Sequence, residues 1–188
     1  AEVAGGGVTS SANDLAQWMR LQLAGGMHDG TQVIEAEALN ETHIPQIMRG
    51  PNPLNGRPSF YALGWASDTN ADGRIIWRHA GAFSTGARTD CMLIPEANLG
   101  IVTLTNAFPT GTPDAINESF YDFVFHGEPR QDWFAIYNAA FQGIFDSFAG
   151  DPDRFATPPD PTSPALDAAA YTGTYHNDYI GDVVVAEV

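Results

Sequence analysis

The 188-residue chain predicts an α+β fold: an antiparallel β meander of about three strands packed with helices, followed by a C-terminal β hairpin. Three observations carry this. Between residues 61 and 106, apolar residues alternate in short runs separated by turn sequences, the signature of half-buried strands. On either side of that stretch they recur at three and four, as in amphipathic helices. The connections between the strands are short, which makes antiparallel neighbours the default.

Taken in order, Gly5-Gly6-Gly7 reads as a turn leading into Ser11-Ala12-Asn13-Asp14, where Ser11 can cap a helix and Asp14 can reach back to it. That helix places Ala12, Leu15, Ala16, Met19 and Leu23 on one face, and Gly25-Gly26 stops it. A second helix, around residues 36–43, ends before Pro45, and a loop rich in Pro, Asn and Gly covers roughly 50–58. Tyr61, Leu63 and Trp65 alternate as a strand; 68–73 is a turn and 74–82 the partner strand. Strands around 87–94 and 100–106 complete the meander. Thr112-Pro113 opens a helix that Gly127 follows, with Ile116, Phe120, Phe123 and Val124 as its expected core face. In the next helix Trp133, Ile136, Tyr137, Ala140, Phe141, Ile144, Phe145 and Phe148 form an apolar stripe. The five prolines of 151–165 mark a linker. Past it, Tyr171–Tyr175 and Gly181–Val185 start a hairpin that is marginal alone, implying a further β domain. The expected organisation is therefore 1–150, 151–165 and 166–188.

Composition excludes several function classes. Asp and Glu number 23 against 8 basic residues, all arginine, for a net charge of −15. Such a surface repels nucleic acid and anionic membranes alike. The single cysteine, Cys91, rules out an internal disulfide and reads as a buried, inert thiol in an apolar run. No apolar run reaches the length of a membrane span. Asp68-x-Asn70-x-Asp72-Gly73 fits the first half of a calcium loop, but His79 stands where the bidentate carboxylate belongs, so a hairpin turn is expected. His28, His43, His126 and His176 show no metal-ligand spacing; no metal and no cofactor is expected. Ser84 lies in a Gly-x-x-Ser-x-Gly frame one residue out of step with a nucleophile elbow, and reads as a loop serine.

The strand Trp77-Arg-His-Ala-Gly-Ala82 carries His79-x-Gly81 between apolar flanks, then Ile94-Pro-Glu96 and Leu104-Thr-Asn106 follow. Together with Ala4–Trp18 and Tyr61-Ala-Leu-Gly-Trp65, this ordered set resembles the serine β-lactamase and penicillin-binding-protein superfamily, in the class C-type esterase and peptidase branch where His replaces the Lys of the third motif. The resemblance covers residues 1 to about 150, as the C-terminal half of such a hydrolase domain. Tyr171-Thr-Gly-Thr-Tyr175 resembles the start of a lipocalin-like domain that often follows it.

That resemblance implies a site. His79 would bond the catalytic network and the substrate, Gly81 would let substrate lie against the strand, and the Ala82 N–H would be one oxyanion donor. A strand histidine satisfied by a neighbouring carbonyl is the alternative reading of His79. The superfamily's Ser-x-x-Lys is absent, since the chain has no lysine. Ser11-Ala12-Asn13 reads as a helix cap, and Tyr175-His176-Asn177 comes in the wrong order for a second motif. The expectation is thus a fragment of a hydrolase that makes an acyl-enzyme on an amide, ester, β-lactam or D-amino-acid peptide, inactive alone. The full-length parent would take a small-molecule or peptide substrate and, by resemblance, be periplasmic or secreted. A homo-oligomer through the truncated face is a further expectation. The other class left open is a non-catalytic module binding a peptide or another chain through an exposed strand.

Overall fold

The computed structural model describes residues 3–83, 85–149, 163–178 and 181–187. The chain divides into two compact units. One is Thr9–Asp146, and the other takes in the described residues at both chain ends.

In the larger unit, α2 (Ala12–Leu23) is capped as expected: Ser11 Oγ accepts from the Asp14 N–H at 3.2 Å and donates to the Asp14 carboxylate at 2.8 Å. (The four-residue helix α1, Val3–Gly6, precedes it in the other unit.) A small hairpin of β1 (Met27–His28) and β2 (Thr31–Gln32) follows, then α3 (Ala36–Glu41). A single antiparallel sheet is built next, in chain order: β3 (Ile47–Pro51), β4 (Pro58–Tyr61), β5 (Ala66–Thr69), β6 (Ile75–Phe83), β7 (Ala87–Ile94) and β8 (Leu99–Thr105). Helices α4 (Thr112–His126) and α5 (Trp133–Ala149) complete the unit's elements.

Successive strand residues face opposite sides of a sheet, so β6 to β8 bury two cores. On one side Leu93 packs with Ala62, Trp65 and Met19 of α2, joined by Trp77, Cys91 and Val102. On the other, Ile76, Met92 and Ile94 pack with Tyr121 of α4. Gly100 permits the first of these. A Cβ there would stand 2.6 Å from the Leu93 side chain and 3.3 Å from the Met19 sulfur.

The α+β class and the meander β6–β7–β8 stand as expected, and the sheet is larger by three strands. Two details differ. Tyr61 to Trp65 is not one strand: the chain folds back between β4 and β5, with Ala62 N–H donating to Trp65 C=O at 2.7 Å, and Leu63 is exposed while Ala62 and Trp65 are buried. The loop expected at 50–58 opens with the end of β3, which pairs with β4.

The larger difference is α4. Its expected core residues Ile116, Phe123 and Val124 are 44%, 57% and 49% exposed. The helix instead buries Pro113, Asp114, Ala115, Asn117, Tyr121 and Asp122. The sheet surface beneath it carries Arg78, Arg88 and Asp90, so the helix face that complements it is polar.

In the other unit, β9 (Gly173–Asn177) and β10 (Gly181–Val185) form the expected hairpin, registered from Gly181↔Asn177 to Val185↔Gly173. Residues 151–162 of the expected linker, and Ser84, lie outside the described residues.

Candidate active site

β6 is nine residues long, yet β5 pairs only with its start, from Thr69↔Ile75 to Ala66↔Arg78. From His79 to Phe83 the strand has β7 on one side, His79↔Cys91 through Phe83↔Ala87. Among the described residues no strand covers its other side. Backbone N–H and C=O groups of an uncovered stretch are free to pair with an incoming extended chain.

His79 stands on this stretch, exposed, and its ring makes no hydrogen bond or ion pair with another described residue. It shares its sheet face with Trp77 and Gly81 along the strand and with Cys91 across from it. Burial, reinforced by Asp90 against Arg78, pushes the Cys91 thiol up to about 12, so it stays protonated at neutral pH. A Cβ at Gly81 would meet the Thr89 hydroxyl at 3.1 Å, so glycine keeps the face flat beside His79. Ala82 is exposed and opposes Arg88. The three sequence-predicted residues thus lie within one open strand segment, 79–82.

What holds that segment rigid is a charged network on the opposite face. Arg78, the residue before His79, grips Asp90 of β7 with two parallel bonds, Nε to Oδ1 at 2.8 Å and Nη2 to Oδ2 at 2.7 Å. Its Nη1 donates to Glu118 Oε1 of α4 at 2.7 Å and to the Tyr137 hydroxyl of α5 at 3.2 Å. Burial works against the Arg78 charge, but Asp90 and Glu118 more than offset it and hold the guanidinium well above its ordinary value. Asn117 donates to Asp90 Oδ2 at 2.6 Å and to its C=O at 3.1 Å, and accepts from Thr103 of β8 at 2.7 Å. Alongside, Arg88 makes a second two-point pair with Asp114, at 3.0 and 2.5 Å.

On the His79 face, His43 stacks flat on Trp77, ring centroids 3.6 Å apart and planes 4° apart, with Trp65 tilted against it at 5.5 Å. His43 Nε2 bonds to Gln22 Oε1 at 3.0 Å, while Nδ1 is buried without a partner. Burial lowers its pKa to about 4. Sequence reasoning read His43 only as lacking metal-ligand spacing and Tyr137 only as part of an apolar stripe, and it gave Arg78 no role. Their partners lie far along the chain, and no local spacing announces such pairs.

The turn after β5 is held by side-chain oxygens of Asp68, Asn70 and Asp72. Asp68 accepts from the Phe60 N–H at 2.8 Å, Asn70 from the Arg74 N–H at 2.9 Å, and Asp72 from Tyr121 at 2.7 Å and Arg130 at 2.9 Å. These oxygens are engaged by protein donors in a hairpin connection.

The Beta-lactamase family model matches residues 1–123, which runs from the chain start through most of α4. The chain belongs to the beta-lactamase family. Among solved structures, this beta-lactamase-family chain is similar to the octameric penicillin-binding protein homologue from Pyrococcus abyssi. Identity is 19%, the match covers 65% of this chain and 26% of that one, and the TM-score is 0.51. The likeness is one of fold, and the chain spans about a quarter of the archaeal protein's length. No curated protein matches. Helix α5, which supplies Tyr137 to the Arg78 network, lies beyond the family match.

Proposed function

We propose that this chain supplies the substrate-binding strand of a serine hydrolase that works through an acyl-enzyme, with the nucleophile borne by residues outside this sequence. The observation that carries the reading is the uncovered stretch of β6 from His79 to Phe83, with His79 exposed beside it. Substrate would lie along that edge as an added strand, accepting from the Ala82 N–H and from the His79 ring. The family offers Ser-x-x-Lys for nucleophile and base, and a chain without lysine cannot complete that pair itself. Amide, ester, β-lactam or D-amino-acid peptide substrates all fit this chemistry, and a periplasmic or secreted setting fits the family. The smaller unit is proposed to begin a separate lipocalin-like β domain.

Two measurements test this. A fluorophosphonate probe should leave the intact mass of this chain unchanged, and covalent labelling would place a nucleophile within it. In the full-length protein, His79→Ala should slow turnover of a generic ester by about one to two orders of magnitude, the loss of a hydrogen bond worth roughly 1.5–3 kcal/mol. The exposed imidazole contributes little packing, so circular dichroism should be unchanged. Full turnover in a folded variant would sink the assignment of His79.

A further inference from the structure

The sheet face opposite His79 holds a cavity of about 480 Å³, bounded by β6, α4, α5 and the loop after β3. That volume falls in the range of small-molecule sites. Its wall is largely apolar and aromatic, with Trp133, Ile136, Tyr137 and Ala140 along α5. Arg78, Arg130, Asp68 and Glu118 form its charged part; Arg130 is shared between Asp72 and Asp122, and Asp68 accepts from Ser59 and from the Phe60 N–H.

The charges there do not balance. The single guanidinium of Arg78 is shared among three acids: its Nε and Nη2 bond to Asp90, Nη1 bonds to Glu118, and Nη2 also lies 3.6 Å from Asp114. Arg88 offers no surplus, because it is paired with Asp114. Within Glu118, Oε1 accepts from Arg78 and from Tyr137 at 3.1 Å, while Oε2 has no partner among the described residues. An acceptor oxygen therefore stands unused in the wall of a cavity that also presents the rings of Tyr121, Trp133 and Tyr137. An anion would meet net negative charge there, and a purely apolar ligand would leave the free oxygen desolvated without a donor. An ammonium group supplies both the donor and the compensating charge, and the aromatic rings favour a cation over their faces.

We propose that this cavity binds an organic ammonium compound, with its cationic nitrogen on Glu118 Oε2 and its apolar body against Trp133 and Tyr137. The site lies on the opposite side of the sheet from the proposed catalytic strand and stands independently of that function. Glu118 is bonded to Arg78, which directly precedes His79 in β6.

The test uses this chain and three matched probes: benzylammonium, benzyl alcohol and benzoate. Calorimetric titration should give saturable 1:1 binding of benzylammonium, at least tenfold tighter than benzyl alcohol, with no binding of benzoate. Glu118→Gln, which keeps an oxygen for Arg78 but removes the charge, should weaken benzylammonium at least tenfold. Ala140→Trp, at an exposed wall position away from the charges, should block all binding by filling the space, and it serves even where Glu118→Gln fails to fold. Absence of saturable binding, equal affinity for the alcohol, or unchanged affinity in either folded variant would overturn the proposal.

Discussion

At the residue scale, His43 ties stability to pH. Its ring is held between Trp77 and Trp65 with Nε2–H on Gln22, so protonation would place a second N–H, and a charge, at a buried Nδ1 with no acceptor. The folded pKa of about 4 lies below the ordinary histidine value of 6.5, so the unfolded chain takes the proton more readily. The stabilisation is complete above about 6.5 and is lost as pH falls through 4. At 1.36 kcal/mol per pH unit it amounts to about 3 kcal/mol across that window. Urea unfolding at a series of pH values should show this fall, and His43→Phe should flatten it; an unchanged slope in the variant would assign the effect elsewhere. Asp72 acts in a lower window. Burial raises its pKa, but bonds from Tyr121, His126 and Arg130 outweigh that and bring it to about 2 from 3.8. Its contribution is present above 3.8 and lost towards 2, and Arg130→Gln should move that loss to higher pH.

At the element scale, α4 reverses the usual relation between apolar pattern and burial. Asn117 is fully buried and joins β7, β8 and α4 through three hydrogen bonds, whereas Ile116 beside it is half exposed. Asn117→Ala should cost about 2–4 kcal/mol, because it leaves Asp90 and the Thr103 hydroxyl short of partners in a dry site. Ile116→Ala should stay within about 0.5 kcal/mol. Chemical denaturation of the two variants checks the contrast, and equal losses would restore the apolar face as the packed one. The same helix shows what the sequence made legible. Its ends could be read, from Thr112-Pro113 to Gly127, as could the Ser11 cap of α2 and the alternation of β6 to β8, because each is written in residues a few positions apart. Its orientation could not: the polar partners that select its buried face, Arg78, Arg88 and Asp90, come from the sheet 26 to 40 positions earlier. For the same reason His79, Gly81 and Ala82 stood out as a local triplet, while the cavity walled by α5 gave no local sign. Strands β3 to β5 were missed in part because each is only four or five residues long.

At the scale of the whole molecule, the sheet has two edges, and they differ. β3 is interrupted by a register shift between Met48 and Gly50, carries Arg49, and ends in Pro51, three features that discourage pairing with another chain. β8 is Leu-Gly-Ile-Val-Thr-Leu-Thr, seven residues without a charge, a proline or a register shift. Its outer N–H and C=O groups meet no strand among the described residues, and Leu104 adds exposed apolar surface beside them. An uncharged edge of this kind is a template for strand pairing. The net charge of −15 opposes association only through a screened, long-range term, which falls as salt rises. This chain should therefore dimerise edge to edge through β8, more strongly at high than at low salt. Light scattering across a concentration series should show the dimer. Leu104→Lys, which puts a charge on the edge strand opposite Thr89 and away from the buried Leu93 and Met92, should return the monomer. A wild-type chain that stays monomeric at high concentration and high salt would mean that the edge is already protected, and a dimer that persists in folded Leu104→Lys would move the interface away from β8.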